Sequence, residues 1–260
     1  VTGLPPWERG VALVHQMPGL LPHMSILENV ALAAELRGRL PRWEARREAA
    51  RLLERLGVAG VADRRPVEVS GGQLQRAALA AALAARPRLL LLDEPLSHLD
   101  RSTAEAAAEL LSRLPREEGV AVLHVTHDLD EALRLAEEIT VLHAGRVAET
   151  GEAGRVYTCP RSLEAAELLG FNLLHDAAWL GLGGCVAVHP EAVEPLPHPR
   201  GGWRLRGMWR ERGRVLVELE WRGSSLRLRG YVDPWLAWEL RRAGAARLRL
   251  RGGVCRLASC

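Results

Sequence analysis

The sequence contains no lysine: all 35 basic residues among its 260 are arginine. That absence excludes, for these residues, Schiff-base chemistry, a pyridoxal linkage and the lysine of a phosphate-binding P-loop. Cysteine is sparse. Cys159, Cys185, Cys255 and Cys260 show no CxxC spacing and no histidine at ligand distance, so free thiols in a reducing compartment are expected and a zinc site is not. No apolar run approaches the roughly 20 residues that a membrane span needs. The opening Val-Thr-Gly-Leu-Pro-Pro has neither a basic leader nor an apolar stretch of signal-peptide type, and it lacks an initiator Met.

What is present is ordinary globular composition, with 48% apolar and 26% charged residues. Disorder, a collagen-like repeat and a disulfide scaffold are excluded. The net charge of +3 is uneven. Residues 1–170 hold 20 Arg against 24 acidic residues, a balance of −4, whereas residues 171–260 hold 15 Arg against 8, a balance of +7. Two surfaces of opposite sign imply two domains.

The first half alternates apolar strands with amphipathic helices. Strands are expected at Val11 to Val14, Leu89 to Leu92, Val120 to Val125, Ile139 to His143 and Arg146 to Thr150. Between them lie helical stretches from Ile26, Trp43, Ser70, Ser102 (to Leu114) and Leu129. This order predicts an α/β fold with a parallel sheet, and the continuous run Leu89 to Leu92 predicts a strand buried on both faces. After a helical connector at 161–170 the segments shorten and alternate, predicting a small β-rich domain over 171–260 with one helix near Pro234 to Arg242. Six of the eight tryptophans fall there: Trp179, Trp203, Trp209, Trp221, Trp235 and Trp238. They are expected in core or interface packing. Base stacking is the alternative, but no RNA-binding signature accompanies them, and no nucleic-acid partner is expected.

Three short runs carry chemistry. Ser70-Gly71-Gly72-Gln73 caps a long helix and presents free N–H groups at its positive end, an arrangement suited to phosphate; a plain capped turn is the competing reading. Asp93-Glu94 closes an apolar strand, where α/β sheets bind ligands. The first carboxylate suits Mg²⁺ and the second suits orienting or deprotonating water; a strand end turning polar at the surface is the alternative. Val125-Thr126-His127-Asp128 puts a histidine at the next strand end, able to reach a phosphate oxygen or simply to serve the fold.

In order and spacing, Gln16, Ser70 to Gln73, Asp93-Glu94, Ser97 to Asp100 and His127 resemble the nucleotide-binding subunit of an ABC transporter over residues 1 to about 170. The resemblance implies that Gln16 is the Q-loop residue that senses Mg²⁺. It makes Ser70, Gly71, Gly72 and Gln73 the signature contacting the γ-phosphate of ATP on the opposite subunit. Asp93 becomes the Walker B aspartate at the Mg²⁺, Glu94 the catalytic base and His127 the catalytic switch histidine, while Asp100 ends the D-loop near the nucleotide. Val69, His15 and His98 depart from the family's preferences without touching a catalytic atom.

The family's G-x-x-x-x-G-K-[ST] loop is absent. The fold expected is therefore an incomplete P-loop NTPase core with a helical subdomain over 1–160, and an N-terminally truncated sequence, inactive alone, is the simplest account.

The last segment resembles the OB-like accessory domain called TOBE of importer ATPases. Gly170 to Leu174 and Val186 to Glu191 carry that likeness, and the run from Gly230 to Asp233 through Leu257, with a helix then two short strands, looks most like the molybdate and tungstate branch. His189 stands where the family usually has Arg. The implied protein is an ATP-hydrolysing importer subunit for an oxyanion. It would work as a homodimer with transmembrane permease subunits at the cytoplasmic face of the plasma membrane, with an oxyanion possible at the C-terminal domain. A non-catalytic subunit supplying only its signature to a partner is the alternative. ABC proteins of DNA repair or translation are disfavoured, because neither duplicated cassettes nor heptads occur.

Overall fold

The computed structural model describes residues 3–5, 8–16, 18–37, 39–97, 99–175, 184–211, 213–222 and 226–257. His98, Trp179 and Cys260 lie outside the described residues. The chain divides into two compact units, Val1–Leu135 and Ala136–Cys260.

In the first unit, β1 (Val11–Val14), β2 (Leu89–Asp93) and β3 (Ala121–Val125) form a parallel sheet in the order β1-β2-β3. Leu13 lies opposite Leu91, and Leu91 opposite Leu123. Alternation sends Val14, Leu90 and Leu92 into a core shared with α1 (Ile26–Leu36), α2 (Arg42–Arg55) and α3 (Gly71–Ala84), where Ile26, Val30 and Leu53 are fully buried. Among the described residues the other face is covered only in part. Leu13, Leu123 and Val125 stand 49%, 58% and 53% exposed and Leu89 and Leu91 of β2 are half-buried, so β2 is fully buried on one face rather than the expected two. A run of four leucines is compatible with either arrangement, because it carries no period.

Ser25 and Glu28 start α1 with reciprocal hydrogen bonds to each other's backbone N–H. One turn on, buried Asn29 accepts from Leu21 N–H at 2.7 Å and donates to the Leu21 carbonyl at 3.1 Å. Those bonds pin the loop that follows Gln16. Helix α4 (Arg101–Glu118) runs through Pro115, beyond the expected end at Leu114. Buried Leu114 and the ion pairs of Arg55 with Glu117 and Glu118 hold the last turn, and Gly119, at φ 63°, ends it.

The second unit begins with the hairpin β4 (Glu138–His143) and β5 (Arg146–Glu152), then α6 (Ala153–Thr158) and α7 (Leu163–Leu168). Val141, Val156 and Ala165 pack together there. Burial alone would raise the carboxyl pKa of Glu149, but Arg155 and the N–H groups of Ser162 and Arg161 bond it and bring it below the usual range.

Beyond the helices, β6 (Asn172–Leu174), β7 (Val186–Val188) and β13 (Val254–Arg256) pair in the order β13-β7-β6. A five-stranded sheet is built from β8 (Val193–Pro197), β9 (Trp203–Glu211), β10 (Arg214–Trp221), β11 (Arg227–Val232) and β12 (Ala245–Leu250), in the order β11-β10-β9-β12-β8. A Cβ on Gly230 would come within 2.8 Å of the Val193 carbonyl, so the two edge strands of this sheet approach each other closely. Asn172 ties the two sheets together. It accepts from Arg229 N–H at 2.6 Å and donates to the Arg229 and Val188 carbonyls at 2.9 and 3.1 Å.

One sequence expectation changes here. Cys159 and Cys255 form a disulfide, Cys185 is also disulfide-bonded, and no described cysteine is free. The paired residues are 96 positions apart, so no local spacing announces them. Among the described tryptophans of this region only Trp203 is buried, whereas Trp235 and Trp238 on α8 (Pro234–Ala243) are 70% and 56% exposed. Ala237 and Leu240 supply the buried face of that helix.

Candidate functional site

The site lies at the carboxyl ends of the three parallel strands, where such sheets present ligand-binding groups. Strand β2 ends at Asp93, and Glu94 follows at φ 45°, a left-handed conformation that costs a non-glycine residue about 1–3 kcal/mol. The turn is held at three points. Glu94 N–H donates to the Val125 carbonyl at 2.9 Å, Ser97 Oγ donates to the Glu94 carbonyl at 3.0 Å, and the side chain reaches across the sheet. Its Oε1 lies 3.0 Å from His127 Nδ1, and its Oε2 accepts from Gln16 Nε2 at 3.4 Å. Groups following β1, β2 and β3 thus meet on one carboxylate. Behind His127, Asp128 accepts from the N–H groups of Asp130 and Glu131 at the start of α5 (Leu129–Leu135), and Thr126 Oγ1 donates to Glu131.

The glycine-rich run begins α3. Ser70 Oγ accepts from Gln73 N–H at 3.3 Å, and Gln73 Oε1 accepts from Ser70 N–H at 3.0 Å, so both side chains cap the helix. The two glycines differ. A Cβ on Gly72 would sit 3.1 Å from Leu99 Cδ2, which is a packing reason for glycine, whereas a Cβ on Gly71 would meet nothing within 4 Å. The fold does not require Gly71 to be bare; close approach of a ligand to its backbone would. A cleft of about 220 Å³ is lined by Gly71, Gln16, Glu94, Gln75 and Pro18.

Gln75 was not singled out by sequence. It is 9% exposed and its Nε2 has no hydrogen-bond partner. Its position one helical turn after Gly71 is the only sequence signal that places it beside the cleft. Asp100 sits elsewhere, at the start of α4. It accepts from Thr103 Oγ1 at 2.6 Å, Ser102 Oγ at 2.7 Å and Thr103 N–H at 3.1 Å. The Thr103 and Ser102 bonds hold its carboxyl well below the usual aspartate range. A depressed folded-state value means a contribution to stability that is present above the ordinary aspartate pKa and is lost as pH falls through the lowered one. The carbon resonance of this carboxyl should therefore titrate below 3.8 in the folded protein, and a midpoint at or above 3.8 would contradict the capping geometry.

No group of three or more His, Cys, Asp or Glu side chains among the described residues is placed to hold a metal. The oxygen donors at the strand ends, Asp93 and the Gln16 amide, nonetheless suit Mg²⁺, which takes one or two protein ligands alongside phosphate and water.

A capped glycine-rich helix start and an acidic strand end on a parallel sheet are features that α/β nucleotide-binding proteins share. The comparisons narrow this class. The family pattern described as ABC transporter matches residues 2–97. A spermidine/putrescine import ATP-binding protein of Acidothermus cellulolyticus is 43% identical over 188 residues, 72% of this chain and 49% of that protein. A molybdate/tungstate import ATP-binding protein of Archaeoglobus fulgidus is 42% identical over 174 residues, 67% of this chain and 71% of that protein. The ATP-binding cassette MJ0796, solved as a dimer in a post-hydrolysis state with ADP and Pi, superposes with a TM-score of 0.51 at 36% identity, covering 55% of this chain and 62% of its own. This chain belongs to the ABC transporter family of ATP-binding proteins. It spans about half the length of several of the curated relatives it matches. No helix among the described residues is long and apolar enough to cross a membrane.

Proposed function

We propose that this chain is the greater part of an ATP-hydrolysing importer subunit. The observation that carries the reading is the Glu94 carboxylate held between His127 and Gln16 at the strand ends. Glu94 orients the attacking water and takes its proton. His127 holds Glu94 through Nδ1 and offers Nε2 to a phosphate oxygen. Asp93 and the Gln16 amide would hold Mg²⁺, which neutralises phosphate charge when bound. Ser70, Gly71, Gly72 and Gln73 serve the nucleotide of a second copy, with Gly71 giving the closest backbone approach, so the working unit is a homodimer joined to permease subunits at the cytoplasmic face of the membrane. Asp100, at the end of the D-loop segment, shapes the same dimer contact through its cap of α4.

The nucleotide-binding domain is assigned to 1–160, the connector to 161–170 and a TOBE-like domain to 171–260. Within this proposal the solute is an oxyanion such as molybdate or tungstate. The arginine excess of 171–260 suits an anion, and the Archaeoglobus relative matches over most of its own length.

The test supplies what the sequence lacks. A strand, a G-x-x-x-x-G-K-[ST] loop and its helix are fused ahead of Val1, and Mg²⁺-ATP turnover is compared with that of the unfused chain. Turnover confined to the fusion supports the proposal. A folded fusion that neither binds nor hydrolyses ATP would overturn it.

A further inference from the structure

The second unit carries chemistry that the nucleotide reading does not use. Cys159 follows the last turn of α6, and its N–H donates to the Arg155 carbonyl. Cys255 lies in the middle of β13. Their Cα atoms are 5.4 Å apart, and the bond joins the end of α6 to β13. On one side Val156 of α6 is fully buried with Val141 and Ala165 against the hairpin. On the other, β13 pairs with β7, and Gly253 just before it accepts from His189 N–H at 3.0 Å. Beside the disulfide, the two sides meet where Cys255 Sγ lies 3.4 Å from the Thr158 carbonyl, in the cluster of Ala166, Phe171 and Ala187, and at an edge-on ring contact. His189 lies between Tyr157 of α6, centroid 5.1 Å away, and Phe171, centroid 4.8 Å away. The two sulfur-bearing residues are unequal in access: Cys159 is exposed and Cys255 is 4% exposed.

We propose that the Cys159–Cys255 bond is a thiol–disulfide exchange site for a dithiol reductant, and that its redox state decides whether α6 is fastened to β13. A thiolate of the reductant attacks Sγ of exposed Cys159, forming a mixed disulfide and expelling the Cys255 thiolate, which takes a proton from solvent. The second thiol of the reductant then displaces the Cys159 thiolate, which is protonated in turn. The protein gains two electrons and two protons, and the reductant leaves as its own disulfide. Reduction removes the covalent tie and leaves only noncovalent contacts between α6 and the strands, so the helix opens more often. The proposal is independent of the nucleotide reading, because neither cysteine belongs to the strand-end site.

The experiment uses the whole chain under native conditions. Cys159- and Cys255-containing peptides are followed by alkylation and mass spectrometry before and after dithiothreitol, and amide exchange is followed across α6. The expected result is that both peptides are protected before reduction and both are alkylated after it, with α6 exchanging at least about tenfold faster. The Cys159→Ser/Cys255→Ser double variant should exchange at the reduced rate with or without dithiothreitol. Alkylation of both peptides before reduction overturns the proposal. A bond that resists millimolar dithiothreitol until the chain is denatured overturns the exchange site. Unchanged α6 exchange in both the reduced chain and the double variant overturns the fastening role.

Discussion

Glu94→Gln in the loop-bearing fusion lowers ATP turnover by about 10²–10⁴-fold while nucleotide binding persists. Glutamine has nearly the shape of glutamate, so the positive-φ turn held by Val125 and Ser97 and the contacts to His127 and Gln16 keep a partner of the right size. What it cannot do is accept a proton from water. That loss falls in the range for removing a general base, about 3–5 kcal/mol on the barrier. His127→Ala leaves the base but frees its orientation and removes the Nε2 contact to phosphate, and it should lower turnover as well. A Glu94→Gln protein that turns over ATP at the parent rate would remove Glu94 from the chemistry, whatever became of binding.

Asn172→Ala destabilises the second unit by about 3 kcal/mol. The side chain is 8% exposed and acts as a piece of backbone, satisfying the N–H and carbonyl of Arg229 on one sheet and the Val188 carbonyl on the other. Alanine leaves these groups without partners in a partly buried seam, at about 1–3 kcal/mol for each that water does not reach. Urea unfolding followed by tryptophan fluorescence reads this unit, since most of the tryptophans lie in it. A midpoint unchanged from the parent would mean that the sheets are joined by their apolar contacts alone.

The residues of the strand-end site were legible because each motif is a local run. A polar residue after four apolar ones marks a strand end, and Ser-Gly-Gly-Gln marks a helix start. The parallel sheet then brings the strand ends together without further instruction. Order along the chain identified Gln16, Glu94 and His127, which meet in the fold. Less legible was anything decided by distant contact. The Cys159–Cys255 pair spans 96 positions, and Gln75 gains meaning only from the cleft beside it. The continuation of α4 through Pro115 depends on Arg55, more than sixty residues earlier. Leu89 to Leu92 announced a strand but not how many of its faces would be covered, because uninterrupted leucine has no periodicity to distinguish one face from two. Tryptophan was legible only in part: of the core or interface packing expected, Trp203 is buried, whereas Trp235 and Trp238 are exposed on a helix whose buried side is furnished by Ala237 and Leu240.

Gly71 has a practical consequence for anyone improving this protein. Nothing in the folded chain objects to a methyl group there, its backbone needs no left-handed conformation, and alanine would favour the start of α3 by up to about 1 kcal/mol. A screen that rewards heat resistance, or a redesign guided by helix preference, will therefore select Ala at position 71 early. Under the proposed function it would be trading away the approach to the phosphate for a gain that looks free, so this position should be held fixed in any stabilised library, whereas Gly72, guarded by Leu99, protects itself.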